Sequence, residues 1–320
     1  MSRNSIGLCC LVLWLSPRAL HSQTAYRDTL RILWWNVENA FDTLDDPETK
    51  DEEFTPSGRK RWNTPRYHRK LNLLAKGIRS ACMGRVPDFI GLCEIENTQV
   101  LDDLILRLPW EWDLWACHQD SPDLRGIDVA VLYNHEAWRL DSLEFIPAGM
   151  DQPSRDAIWT RFNPVTDAHG WPIDLLWMHL PSLRQPDERI RKAVLDHALA
   201  ERTVDLLLGD LNSHPDGPLG VWMVAQGFQR IPGRGNWGTY AFGSKWSFLD
   251  HGWLSTRTSL AGRMEPIPFG ISTKTARIPS VKPTFYAGNY YGGASDHLPV
   301  MYHIWNTGAL PYIYTSITTR

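Results

Sequence analysis

The stretch Val204-Asp205-Leu206-Leu207-Leu208-Gly209-Asp210-Leu211-Asn212 decides the fold class. Its first five residues are mostly apolar and of strand length, which suits a strand buried on both faces of a sheet. A glycine and then two polar residues follow at its carboxyl end, where the ligands of α/β sheets collect. Working outward, runs of the same kind occupy residues 31–35, 89–93, 129–133, 174–178, 246–254 and 298–304. Helical spacing lies between them. Thr64 and Pro65 form an N-cap and first-turn pair, after which Tyr67, Leu71, Leu74, Ala75 and Ile78 share a face. A second helix is expected from Thr98, with Val100, Leu101, Leu104, Ile105 and Leu108 inward and Pro109 as its stop. A third is expected from residue 186 to about 202, with Ile190, Val194 and Ala198 on one face. Residues 43–61, acidic and then basic, read as a long surface loop. Strands and helices alternate early and strands dominate later, which predicts an α/β fold of mixed sheets packed together with helices outside.

Composition narrows the class. The 320 residues are 43% hydrophobic and 22% charged, which excludes a disordered or collagen-like chain. The longest apolar run, residues 6–15, falls short of the roughly 18 needed to span a bilayer, so a polytopic membrane protein is excluded. A net charge of −3 argues against a protein that coats nucleic acid, though not against an enzyme gripping one phosphate. Sixteen Trp imply broad apolar burial or an aromatic-lined cleft. Residues 1–22 read as a signal peptide: Arg3 supplies the positive start, 6–15 the apolar stretch, and Ser16-Pro17-Arg18 the break before Ser22. The alternative is a retained N-terminal helix. Neither Cys9 nor Cys10 follows a small residue, which speaks against a lipoprotein signal. Export to the periplasm or beyond is therefore expected, and residues 23–320, undivided by any Pro/Gly/Ser linker, read as one domain. Only Cys82, Cys93 and Cys117 remain there, without a CxxC spacing. Cys93 lies in an apolar run and reads as a buried thiol, a Cys82–Cys117 bridge is left open, and a large core must hold the fold.

Unusual polar residues fall at the strand ends. Asn36 follows the first run, Glu94 the second, His179 the fourth, and Asp210 and Asn212 the fifth. Asp210 and Asn212, two apart, would point the same way along a strand end. Ser295-Asp296-His297 instead precedes a run, and Asp296 and His297 can share a cleft only at a bend, which Gly292 and Gly293 allow. Taken singly, each reads as an ordinary turn residue. Together they are the inventory for metal-assisted attack on a phosphate ester: hard oxygens for a cation, a carboxylate to activate water, and His and Asn for developing charge.

In these residues the chain resembles the endonuclease/exonuclease/phosphatase superfamily, which includes the pancreatic-type deoxyribonucleases and exonuclease-type repair enzymes. The pieces are Trp35-Asn36-Val37-Glu38-Asn39 with Phe41-Asp42, Glu94-Ile95-Glu96-Asn97, residues 121–130 from Ser121 to Ala130, His179-Leu180-Pro181-Ser182, Gly209-Asp210-Leu211-Asn212, Asp250, and Ser295-Asp296-His297-Leu298-Pro299. They span residues 31 to about 305, and the set is most similar to exported bacterial endonuclease-like proteins. The resemblance implies a four-layer α/β sandwich and a metal-dependent phosphoric ester hydrolase. It implies Glu94 as the principal metal ligand with Asn36 beside it, Asp296 as a metal or water-network acid, and Mg²⁺ as the cofactor, with Mn²⁺ as an alternative. It also implies Asp210 as the acid that activates water, Asn212 and Arg125 as phosphate contacts, His297 paired with Asp250, and His179 as a second phosphate-contacting histidine. Met178, Cys93 and His251 depart from the residues common at their positions. Nucleic acid is the expected substrate, a phospholipid or small phosphate ester the alternative, and a non-catalytic binding module the third reading; a monomer is expected. The basic residues Arg59, Lys60, Arg61, Arg66, His68, Arg69 and Lys70 read as a solvated loop and polar helix face. Trp110, Trp112 and Trp115 read as either a packed ridge or a stacking platform.

Overall fold

Alternation along the first strand shows how the layers assemble. Leu30, Ile32 and Trp34 are buried in one core and Leu33, Trp35 and Val37 in another, because successive side chains of a strand project to opposite faces. The structure, a computed structural model, describes residues 29–149, 154–166, 170–182, 188–234, 238–242, 245–272 and 280–309; the expected signal peptide lies outside them. In chain order the main strands are β1 (Leu30–Ala40), β2 (Phe89–Ile95), β3 (Leu114–His118), β4 (Asp128–Asn134), β5 (Trp138–Ile146), β6 (Ala157–Pro164), β7 (Ile173–His179), β8 (Leu206–Asp210), β9 (Phe228–Arg230), β10 (Asp250–Ser255), β11 (Leu260–Pro266) and β12 (Val300–Asn306). The helices are α1 (Thr64–Ala81), α2 (Thr98–Ile105), α3 (Glu188–Leu199) and α4 (Pro218–Ala225).

Two six-stranded sheets result, ordered β11-β12-β1-β2-β4-β3 and β5-β6-β7-β8-β10-β9. Each has one parallel pair at its centre, β1–β2 and β7–β8, and is otherwise antiparallel. A parallel pair needs a crossover, and α1 and α3 supply one in each sheet. The inner faces meet in a core that includes Trp34, Phe89, Trp138, Phe162, Trp177 and Tyr302. Helices α1 and α2 cover the outer face of the first sheet, while α3 and α4 cover that of the second. The chain is a four-layer α/β sandwich.

Several local expectations are corrected. Helix α1 is capped by Asn63, whose side chain accepts the Arg66 N–H, so the cap lies one residue before Thr64. The segment 246–254 is not one strand: Lys245–Ser247 pairs in a small hairpin and β10 begins only at Asp250. Residues 43–61 do not form a purely surface loop, because Phe54 is buried and stacks on Phe41 with ring centroids 4.2 Å apart. Cys82, Cys93 and Cys117 are all free and buried, so no Cys82–Cys117 bridge forms. Lys70, expected on a solvated helix face, is 1% exposed. Trp112 is buried, whereas Trp110 is exposed and Trp115 stacks on His135.

Candidate active site

The inner-face rows of both sheets end in polar groups at one rim. Asn36 continues the row Ile32–Trp34, His179 the row Leu175–Trp177, Asp210 the row Leu206–Leu208, and Asp250 opens the row that ends in Leu254. All four are buried. Glu94 reaches the rim by a different device. The ladder of β2 runs to Cys93 and resumes at Ile95, leaving Glu94 unpaired at φ 66°. On a regular strand its side chain would face the helices; the bulge turns it towards the sandwich. Glu38, Asn39, Glu94 and Asn212 are four of the nine non-glycine residues at positive φ among the described residues. Backbone strain thus gathers at this rim, as it does at functional sites.

The side chains converge closely. His297 Nδ1 lies 2.6 Å from Asp250 Oδ2, and Asp250 Oδ1 accepts the Trp34 indole N–H at 3.0 Å. The neighbouring Trp35 indole donates to the His297 carbonyl at 3.0 Å. Adjacent tryptophans on opposite faces of β1 therefore hold both members of the pair. The free Nε2 of His297 lies 3.8 Å from Asp210 Oδ2. Asn36 donates its amide to that same oxygen at 3.0 Å and to Glu94 Oε1 at 3.3 Å. The Asn39 N–H binds Glu94 Oε2 at 2.8 Å, and the Asn212 N–H binds Asp210 Oδ1 at 3.0 Å. His179 Nε2 is 3.6 Å from Asp210 Oδ2 and 4.0 Å from Glu94 Oε1. Tyr240 covers His297 with ring centroids 4.8 Å apart.

The two histidines are driven to opposite protonation states. Burial alone would lower the pKa of His297, but the carboxylates of Asp250, Asp210 and Asp296 outweigh it and hold the ring protonated well above its ordinary range. His179 is pushed well below that range by burial and by the cations of Arg155 and Arg125. Arg155 Nη2 lies 3.4 Å from His179 Nε2 and can only donate, which agrees with a neutral ring. Burial and the charge of Asp250 raise Asp210 to about 6, with His297 opposing. Burial likewise raises Asp296 to about 6 and Glu38 to about 7.

Asn36, Glu94, His179, Asp210, Asp250 and His297 are brought together as the sequence pattern leads one to expect. Asp296 is partly exposed and within electrostatic reach of His297, Glu94 and Lys70, at the bend that lets it share a cleft with its neighbour. One expectation is corrected. Strand β8 ends at Asp210, so Asn212 does not extend the strand face; it sits in a left-handed turn with its amide bonded to the Leu180 carbonyl at 2.9 Å. Arg125 has a half-exposed side chain 3.9 Å from Asp123 Oδ1, and its charge reaches His179. Arg155, which sequence reasoning missed, is the buried arginine against His179, fixed by Asp123 Oδ2 at 3.0 Å. Also missed were Lys70 and Glu38. The Lys70 ammonium donates to the Glu38 carbonyl, Thr284 Oγ1 and the Ala294 carbonyl at 2.6–2.7 Å, while the Glu38 carboxylate accepts the Thr284 and Phe285 N–H groups. Glu38 lies within the Trp35–Asn39 stretch but without a role assigned to it there, and Lys70 carries only a charge at helical spacing. His251, one of the departures, is neutral and structural, accepting the Trp253 indole N–H at Nδ1 and lying 3.0 Å from the Ser213 carbonyl through Nε2.

Glu38, Glu94, Asp210, Asp250 and Asp296 gather at this rim, with His297, Lys70 and Arg155 as nearby cations. This surplus of carboxylate fits a hard divalent cation, with Glu94 and Asp296 as charged donors and Asn36 beside them. Asp210, Asp250 and His297 also lie close enough together to hold an ion, but His297 and Asp250 are already hydrogen-bonded to each other.

A model of the endonuclease/exonuclease/phosphatase family matches residues 31–216, more than half of the chain. The chain belongs to that family. Solved structures share its fold at low identity. An endonuclease/exonuclease/phosphatase family protein from Bacteroides thetaiotaomicron is 15% identical with a TM-score of 0.57, covering 87% of this chain and 98% of its own. A mannosyl-6-phosphatase from the same species is 14% identical with a TM-score of 0.55, covering 86% and 99%. D. rerio TDP2 in complex with a single-strand DNA product is 16% identical with a TM-score of 0.54, covering 86% and 98%. No curated protein sequence matches the chain. Members of this family are generally hydrolases of phosphoesters, commonly with divalent metals.

Proposed function

We propose that the protein is an exported, Mg²⁺-dependent phosphodiesterase that cleaves nucleic acid as a monomer, Mn²⁺ being able to replace Mg²⁺. The observation that carries this reading is the line Asp250–His297–Asp210, in which a buried carboxylate holds a protonated imidazole facing a second carboxylate. Asp210 has both oxygens oriented, by Asn36 and by the Asn212 N–H, and accepts the proton of the attacking water. Its raised pKa keeps it basic enough to do so near neutral pH. His297, cationic at Nε2, donates to a phosphoryl oxygen as negative charge builds on it. Asn212 contacts the same phosphate, while neutral His179, held by Arg155 at Nε2, lines the site beside Asp210 and Glu94. A divalent cation held by Glu94 and Asp296, with Asn36 beside it, would supply positive charge to the phosphoryl oxygens. Residues 1–22 direct export and are removed.

Nucleic acid is favoured because D. rerio TDP2, of the same fold, was captured with single-strand DNA product. The mannosyl-6-phosphatase of this fold supports the second reading, a hydrolase of phosphate monoesters or phospholipids, since fold alone does not set substrate. The deciding experiment incubates the purified protein with plasmid DNA, RNA, sphingomyelin and mannose 6-phosphate, with and without Mg²⁺. Mg²⁺-dependent cleavage of DNA or RNA is expected. Product from sphingomyelin or the sugar phosphate alone would replace the nuclease reading with the second.

A further inference from the structure

A second group of ligand atoms lies where β3 ends and β4 begins. His118, Asp120 and Asp128 each place one such atom within 4.8 Å of the others. The His118 ring is 2% exposed, yet its Nε2 has no hydrogen-bond partner. That nitrogen points at Asp128 Oδ2 from 3.6 Å, too far for a hydrogen bond. On the other side of the ring, Nδ1 is 3.1 Å from Thr98 Oγ1. If Nδ1 carries the proton and donates it there, Nε2 presents a lone pair to Asp128. Asp128 is itself buried, and only Oδ1 is committed, to the Ser121 N–H at 2.9 Å. A second orphan faces the same region from the other sheet: Asp156, just before β6, is buried with Oδ1 unpartnered and feels the charge of Asp128.

We propose that His118 and Asp128 form a second metal site for a first-row transition dication such as Zn²⁺, with the exposed Asp120 beside the same ring, 3.9 Å from its Nδ1. An imidazole nitrogen with carboxylate oxygens suits zinc-like ions better than Mg²⁺ or Ca²⁺, which favour all-oxygen shells. The 3.6 Å between Nε2 and Oδ2 is near the ~3.4 Å expected for two tetrahedral ligands at zinc bond lengths. The Thr98 contact is the outer-shell partner that such a histidine uses to fix its tautomer. A consequence follows for the catalytic rim. The loop from residue 119 to 127 hangs from Asp128 through Ser121, and its Asp123 holds Arg155 against His179. An ion at His118 would fix this loop and, through it, Arg155.

The test uses the full chain carrying Glu94→Gln, so that the catalytic cluster binds weakly, titrated with Zn²⁺ by calorimetry in excess Mg²⁺. One equivalent of Zn²⁺ is expected to bind. His118→Ala or Asp128→Asn should weaken that binding by about 100-fold or more, and Thr98→Val by about 10- to 100-fold, the range of outer-shell losses. Anomalous diffraction from Zn²⁺-soaked crystals of the unsubstituted chain gives a reading that does not depend on the variants folding. A zinc peak bonded to His118 Nε2 supports the site. No peak there, or an affinity unchanged by both His118→Ala and Asp128→Asn, overturns it.

Discussion

His297 and Asp250 are 47 positions apart and 2.6 Å in contact, so each should be nearly useless without the other. His297→Ala and Asp250→Ala combined are expected to cost little more kcat/KM than the worse single change, because groups that act as a unit are non-additive. Penalties that multiply in a double-mutant cycle would refute the pairing. The pH profile carries independent information. Asp210 must be ionised and titrates near pH 6, while His297 must keep its proton and loses it only well above 6.5. The profile should therefore be bell-shaped, and Asp250→Asn should move its alkaline limb to lower pH by removing the carboxylate that favours the imidazolium. Asp210→Asn should lower turnover by about 100-fold or more while leaving the melting temperature nearly unchanged. Retained turnover would show that water is activated without this carboxylate. For Glu94→Gln, which keeps shape but loses charge, calorimetry should show weaker Mg²⁺ binding on an unchanged fold. Most of these residues were legible in the sequence because each ends or opens an apolar run. Arg155 was not, since nothing local distinguishes a buried arginine at a strand entry from a solvated one.

Elements carry the next level of argument. The face of α1 that meets β1 was legible from the spacing of Leu71, Leu74 and Ile78, but the fate of Lys70 beside them was not. A lysine at helical spacing reads as a solvated face; only the segment from Thr284 to Ala294, more than two hundred residues later, supplies acceptors that bury it. Lys70→Met should then lower unfolding stability on the order of 3 kcal/mol, as buried acceptors lose a charged donor. A urea melt with an unchanged midpoint would show that the ammonium is not needed. The bulge at Glu94 was equally hidden, because a strand end and a strand kink carry the same residues in sequence. The break between Lys245–Ser247 and β10 has a similar cause: an apolar run does not say which of two sheets each part will join.

The whole molecule depends on how closely the two sheets approach. Gly91, at the centre of β2, leaves room for Trp34 and Trp177; an added methyl would meet their rings at 2.6 and 2.7 Å. Gly91→Ala should thus destabilise the sandwich by about 2 kcal/mol through overpacking, read by denaturant unfolding. A variant as stable as the parent would mean that the inner core can yield. At this scale the sequence by itself determined the strand-length runs, the helical faces and the polar residues that end them, because periodicity and burial are local properties of the chain. It also determined that both sheets would be covered, since runs apolar on both faces cannot be left to solvent. Only the tertiary structure decided that the rims of the two sheets coincide, bringing Asn36 and Glu94 of one sheet against His179 and Asp210 of the other. It alone set the opposite protonation of His179 and His297, the burial of Lys70 and the grouping of His118 with Asp128. The reason is physical: pKa values and ligand geometry depend on which charges lie within a few ångströms, and contacts between residues far apart in the chain are made only when the sheets pack.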